Sequence, residues 1–246
     1  MDGMPEVRER DMDAYVRQIV RGDHDRAASL LDQGYSLADS LGADALFSFS
    51  NALADRLDGV NSPLRDEERF AMALDREVLC RSLEPADFRK ITFRRERLRR
   101  NAPGQPLENI PVASPTGDTL WLRDAAKGRE TLLFLYGESC SSCQHLSRKL
   151  AASRELAALR KKGKLRCIAL YAGDNPSEQS AMREALPDWT AVRDLGAIRY
   201  DGAFDQRMIP SLYLVSEDGI VRLRGQRSLA AVLRFRTKQK TLHADE

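Results

Sequence analysis

The chain has 246 residues, 42% apolar, 31% charged and 7% aromatic, with 15 glycines, 10 prolines and four cysteines. That composition excludes a collagen-like repeat, a wholly disordered chain and a disulfide-knotted miniature scaffold, and no apolar run reaches the roughly 18 residues of a transmembrane helix. The formal charge of +2 combines 17 basic against 20 acidic residues up to Arg100 with 22 against 17 beyond it, so neither half carries the cation excess expected of a nucleic-acid partner.

From Asp11 to about Arg100 the apolar residues recur at helical spacing. Met12, Tyr15, Val16, Ile19 and Val20 form one stripe. Leu37, Leu41, Ala45, Phe49, Leu53 and Leu57 continue the pattern, and Phe70, Leu74 and Val78 repeat it after the break Gly59 to Pro63. Gly22, Gly34 and Gly59 suit helix ends, while Ser62 before Pro63 and Glu84 before Pro85 suit helix starts. The cluster Arg89, Lys90, Arg94, Arg95, Arg97, Arg99 and Arg100, opposed locally by Glu96, reads as a solvated helix face. These features predict an all-α domain over residues 1–100. Pro103, Gly104, Pro106, Pro111 and Pro115 then forbid continuous helix, and a linker is expected over 101–107.

Beyond it the period changes. Thr131 to Tyr136 and Lys164 to Tyr171 are short apolar runs that suit buried strands. Between them Leu146, Leu150, Leu156 and Leu159 predict one helix of about twenty residues, ending at Gly163. Strand, helix, strand argues a parallel crossover. Downstream, Ser211 to Val215 and Ile220 to Arg224 read as strands joined by the turn Glu217 to Gly219, followed by a helix from Ser228 to about Arg236.

Chemistry concentrates at Cys140-Ser141-Ser142-Cys143, which falls between a predicted strand and the start of a predicted helix. Two thiols at this spacing can close a small disulfide ring, and helix-terminal N–H groups favour the first thiolate. Half a zinc site shares the spacing, but two further ligands are needed. Cys80, Cys167, His24, His145 and His243 supply them poorly, so no metal is expected. Met208-Ile209-Pro210-Ser211 precedes a strand; taken singly it reads as an ordinary trans proline at a strand edge, whereas a cis bond would turn its neighbour's backbone toward a facing site.

With these residues in view, the chain resembles the thioredoxin fold, and within it the TlpA/ResA-like thiol-disulfide oxidoreductases of the bacterial envelope. Ala102 to Pro106 resembles their lead-in, Gly117 to Leu122 their first hairpin, and Leu132 to Tyr136 the strand that feeds the active site. Cys140 to Cys143 resembles the redox motif, and Ile209 to Leu214 the cis-proline strand. The match covers about residues 101 to 238. Asn61 to Arg65 and the helices after them also resemble the helical amino-terminal domain of unknown function in Bacteroidetes thioredoxin-like proteins.

The resemblance implies an α/β fold with a thioredoxin-like central sheet flanked by helices over residues 108–246, preceded by the all-α domain. It implies that Cys140 attacks, Cys143 resolves and cis-Pro210 faces them, with Ser139 and Ile209 toward substrate. Two departures stand out. Ser139 replaces a common tryptophan, and the buried carboxylate of thioredoxins falls near Phe134, leaving Glu138 as the candidate proton relay.

The expected function is disulfide exchange with protein substrates, without cofactor. Ser141 and Ser142 lack charge to depress the Cys140 pKa strongly, which argues for a reductant or isomerase over a strong oxidant. The competing readings are a non-catalytic envelope binding protein with a structural disulfide and a thiol peroxidase; for the latter, Gly137 stands where a threonine is usual. Expected partners are protein dithiols or disulfides and a membrane redox partner, with no nucleic acid. The resemblance implies the periplasm or cell envelope, although Met1 to Glu6 carry no leader pattern, so a leader is expected to be missing from this chain.

Overall fold

A computed structural model describes residues 9–242. Met1 to Glu6 and His243 lie outside the described residues. Contacts divide the chain into two compact units, Met1–Leu98 and Arg99–Glu246.

The first unit is built from helices α1 (Glu9–Arg21), α2 (His24–Leu41), α3 (Ala43–Leu57), α4 (Glu67–Glu77) and α5 (Pro85–Arg99). Val16 and Ile19 of the first stripe are fully buried, and Met12 nearly so. They pack with Leu31, Leu53, Leu57 and Leu74 into one core. Asp23 and Asp66 cap α2 and α4, their carboxylates accepting from Arg26 N at 2.8 Å and Arg69 N at 2.9 Å.

Three expectations here are corrected. Leu37 and Leu41 are exposed, because α2 buries the face formed by Ala27, Leu30, Leu31, Tyr35 and Ala38, and the rest of the series belongs to a separate helix that begins at Ala43. Ser62 and Pro63 lie in a turn, and α4 starts later, at Asp66. Gly34 sits inside α2: a Cβ there would overlap the Tyr15 hydroxyl and the Phe49 ring, so glycine serves close packing instead of termination. The basic run on α5 meets its own unit's carboxylates. Lys90 Nζ lies 2.8 Å from Asp87, Arg95 Nε donates to Asp75 at 2.6 Å, and Arg94 lies over the Phe70 ring at 5.1 Å.

The second unit contains β1 (Pro111–Ala113), β2 (Thr119–Trp121), α6 (Leu122–Ala126), β3 (Thr131–Tyr136), α7 (Ser141–Ala151), α8 (Arg154–Lys161) and β4 (Arg166–Tyr171). Then come α9 (Pro176–Ala185), β5 (Thr190–Asp194), a 3-10 turn (Gln206–Met208), β6 (Ser211–Val215), β7 (Val221–Gln226) and α10 (Leu229–Leu242). The seven strands form one sheet in the order β2-β1-β5-β4-β3-β6-β7. β3, β4 and β5 are parallel, as the strand-helix-strand pattern requires, and β6 returns antiparallel against β3 with Leu135 opposite Ser211.

Alternation along β3 divides the core. Leu132, Phe134 and Tyr136 face Leu146 and Leu150 of α7, Met182 of α9 and Val232 of α10. Leu133 and Leu135 face the other side, with Leu122 of α6, Ile198 and Phe204. The single long helix expected after Cys140 is two: Ser153 caps a new start by accepting from Leu156 N at 3.2 Å. The leucine spacing continues across that break. The last helix runs past Arg236 to Leu242.

The proline-rich stretch is bound to the sheet. Gly104 N donates to Val221 O at 2.8 Å, Val221 N to Gln105 O at 2.9 Å and Leu107 N to Gly219 O at 2.8 Å. Asn101, buried at a φ of +53°, donates from Nδ2 to Ala203 O and accepts from Glu108 N, each at 2.8 Å. Among the described residues no helix is long and apolar enough to cross a membrane.

Candidate active site

Every residue of the candidate site comes from an element end of the second unit. β3 stops at Tyr136, a short turn carries Gly137, Glu138 and Ser139, and Cys140 caps α7. Its Sγ accepts from Cys143 N at 3.1 Å. Cys140 and Cys143 are joined as a disulfide, with their Cα atoms 5.2 Å apart. The two sulfurs are unequally placed: Cys143 is 1% exposed, packed among the core side chains under α7, whereas Cys140 lies at the core's margin, partly open to solvent. The amino-terminal N–H groups of α7 and their dipoles favour negative charge at Cys140.

Ser139, before the disulfide, holds a φ of +51°, unusual for a residue with a Cβ. Its N–H donates to both carboxylate oxygens of Glu178 on α9, at 3.0 and 2.9 Å, and its hydroxyl lies 3.4 Å from one of them. Beneath the turn an aromatic column runs along one face of the sheet. Phe134 stacks on Tyr136 with centroids 5.4 Å apart, Tyr136 on Tyr171 at 5.0 Å, and Trp189 meets Phe134 edge-on. The Tyr136 hydroxyl is buried without a hydrogen-bond partner. Burial, with the neighbouring Tyr171 and Glu178, pushes its pKa upward, so it remains a neutral phenol.

The disulfide turn lies between two recesses. One, of about 240 Å³, is lined by Tyr136, Cys140, Cys143, Gln144, Arg148 and Glu178, among others. The other is a groove of about 740 Å³ on the far side of α7's first turn, where Ser141 and Ser142 meet Ile209, Pro210 and the start of α10. The Ile209–Pro210 peptide bond is cis. The turn and this segment approach closely: a Cβ on Gly137 would lie 3.3 Å from Cγ2 of Ile209.

No protein-family model and no curated protein sequence matches the chain. Solved structures do match. A thioredoxin-like protein from Bacteroides caccae superimposes on 94% of this chain and 83% of its own, with a TM-score of 0.82 at 20% identity. The fold is thioredoxin-like. Coverage of 94% takes in the helical unit as well as the sheet, so a helical amino-terminal region accompanies this fold in that protein too. The C-terminal domain of an uncharacterized protein from Bacteroides fragilis matches 55% of this chain and 97% of its own, with a TM-score of 0.51 at 25% identity.

In this thioredoxin-like unit the structure brings Ser139, Cys140, Cys143, Ile209 and Pro210 to one end of the sheet, beside the carboxyl end of β3. Glu138 lies in the same turn but is exposed, and among the described residues it makes no hydrogen bond to either cysteine. Phe134 is fully buried in the aromatic column, with no carboxylate at its position. Glu178 is the acid that reaches the turn, a residue the sequence reading missed because α9 went unrecognised. The only local signal was Asn175-Pro176, a cap followed by a first-turn proline, with Glu178 in the first turn.

The other two cysteines stand apart. Cys167 on β4 is buried, and burial pushes its thiol up to about 12. Cys80, half-buried after α4, is pushed up to about 11 by burial, with Asp39 and Glu77 adding to the shift. Both are free thiols held protonated, and so poor nucleophiles. Among the described residues no three or more His, Cys, Asp or Glu side chains are grouped to hold a metal ion. His24 opens α2, and His145 lies exposed on α7.

Proposed function

We propose that this chain is a thiol-disulfide oxidoreductase that exchanges disulfides with protein substrates through Cys140 and Cys143, acting as a reductant or isomerase. The observation that carries the reading is the disulfide at the start of α7 with one sulfur accessible and the other buried. Such asymmetry supports the following order of steps. In the dithiol form, the Cys140 thiolate attacks one sulfur of a client disulfide. A mixed disulfide forms, and the client's other sulfur leaves as a thiolate. The Cys143 thiolate then attacks Cys140 Sγ, releasing the second client thiol and closing the Cys140–Cys143 bond. Two electrons pass from the protein dithiol to the client. An external dithiol must return them, and a membrane redox partner is the class we expect to do so.

Pro210 and Ile209 form the wall against which a client lies, and Ser139 the opposite lip. Neither Ser141 nor Ser142 adds charge beside Cys140, while Glu178 disfavours a thiolate close by; both favour a mild reductant over a strong oxidant. The resemblance and the preference of disulfide chemistry for oxidising compartments support a periplasmic or cell-envelope location.

Insulin or model-disulfide reduction tests the reading. Cys140→Ser is expected to abolish turnover, and Cys143→Ser to accumulate mixed disulfides that a gel under non-reducing conditions displays. A Cys140→Ser variant as active as the parent would sink it. The reduction potential separates an exchange catalyst, at roughly −270 to −120 mV, from a static bridge below about −300 mV.

A further inference from the structure

We infer that the groove beside Pro210 selects clients whose reacting cysteine is flanked by acidic residues, an inference that rests on the exchange reading above. The groove is the larger of the two recesses at the redox turn, about 740 Å³ against about 240 Å³. Leu146, Ile209, Pro210 and Leu233 give it an apolar lining. Its ionisable lining residues are His145 and Lys149 from α7 and Arg227 from the segment before α10, all basic. Lys149 and Arg227 form no ion pair with any described carboxylate; Arg227 makes only a long contact, 3.5 Å, to Arg207 O. Other cations of this unit do have an internal partner, as Arg160 with Asp188 at 2.6 Å and Arg207 with Asp205 at 2.7 Å. The groove thus presents basic side chains and no carboxylate to a segment lying in it.

The other flank of the turn is mixed in charge. Glu138 is exposed in the turn, and Glu178 lines the smaller recess with Arg148. A client segment crossing Cys140 meets Glu138, Glu178 and Arg148 on one side, and on the other cations without a carboxylate over an apolar floor. An acidic residue beside an apolar one, placed against α7 and α10, satisfies both surfaces; a lysine there adds a third positive charge to the rim. Rim charges of this kind act mainly on the association rate and weaken with ionic strength, since the screening length falls from about 10 Å at 0.1 M salt to about 3 Å at 1 M.

The test uses the reduced full chain and three disulfide peptides identical except for glutamate, glutamine or lysine beside the cysteine. Uncharged 2,2′-dithiodipyridine serves as a reference for exchange itself. At low salt the glutamate peptide is expected to react about tenfold faster than the lysine peptide, falling to under about twofold near 1 M salt. In a Lys149→Glu, Arg227→Glu double variant the order of the two charged peptides, each taken relative to the glutamine peptide, should invert. Reaction with dithiodipyridine but equal rates for all three peptides at low salt overturns the inference alone. An order unchanged in the double variant does the same. No reaction with dithiodipyridine or any peptide overturns the exchange reading and this inference with it.

Discussion

Ser139 adopts a left-handed conformation that costs an ordinary L-residue of order 1 kcal/mol, and both oxygens of Glu178 receive its N–H. One carboxylate thus serves the redox turn in two separable ways, as a hydrogen-bond acceptor and as a negative charge one residue from Cys140. Glu178→Gln keeps an acceptor and removes the charge, so it is expected to favour the Cys140 thiolate and speed alkylation of the reduced protein near neutral pH by about three- to tenfold. Glu178→Ala should show the same faster alkylation and also lower the melting temperature of the oxidised form. Alkylation rates followed across pH check the first expectation, and a parent-like profile in both variants would refute it.

At the scale of elements, legibility follows burial. β3 and β4 could be read from sequence because they are covered on both faces, which makes each an unbroken apolar run. Cys140 and Cys143 were legible for a different reason, a spacing with few alternative uses. By contrast α9 buries Met182 alone within its span, and β5 is five residues with one exposed end, so neither carries a strong period. Glu178 was hidden with α9: its contact to Ser139 crosses 39 positions and exists only once the sheet has formed. The merging of α7 with α8 shows the opposite failure, an apolar series that outlasts the helix it seems to describe.

The helical unit holds a pH-dependent element of its own. Glu77, at the end of α4, is 8% exposed, and burial raises its pKa although Arg94 opposes the shift. The folded state therefore prefers the protonated acid. Its contribution is fully present below the unfolded value of about 4.3 and is lost as pH rises through the folded value. The stability advantage of Glu77→Gln over the parent should accordingly grow with pH above about 4.3 and then level off. Urea unfolding at a series of pH values measures it, and a constant difference between the two proteins would contradict the assignment.

For the whole molecule, the described groups of the redox site all lie in Arg99–Glu246. That fragment is expected to fold alone and keep the full chain's reduction potential to within about 10 mV, where about 30 mV corresponds to 1.4 kcal/mol. Equilibration of both proteins against glutathione tests this; a larger displacement would mean that the helical unit tunes the disulfide.

The stitching of Gly104 and Gln105 onto Val221 of β7, and of Leu107 onto Gly219 before it, bears on how such a protein behaves when crowded among its own copies. A bare outer strand presents a row of unpaired amides that another chain can extend. Here one border of the sheet is partly occupied by the chain's own proline-broken segment, and the other ends in β2, only three residues long. The start of β7 is therefore already paired on its outer side. Another copy adding a strand is thereby obstructed at Val221 and finds only three residues to pair with at β2.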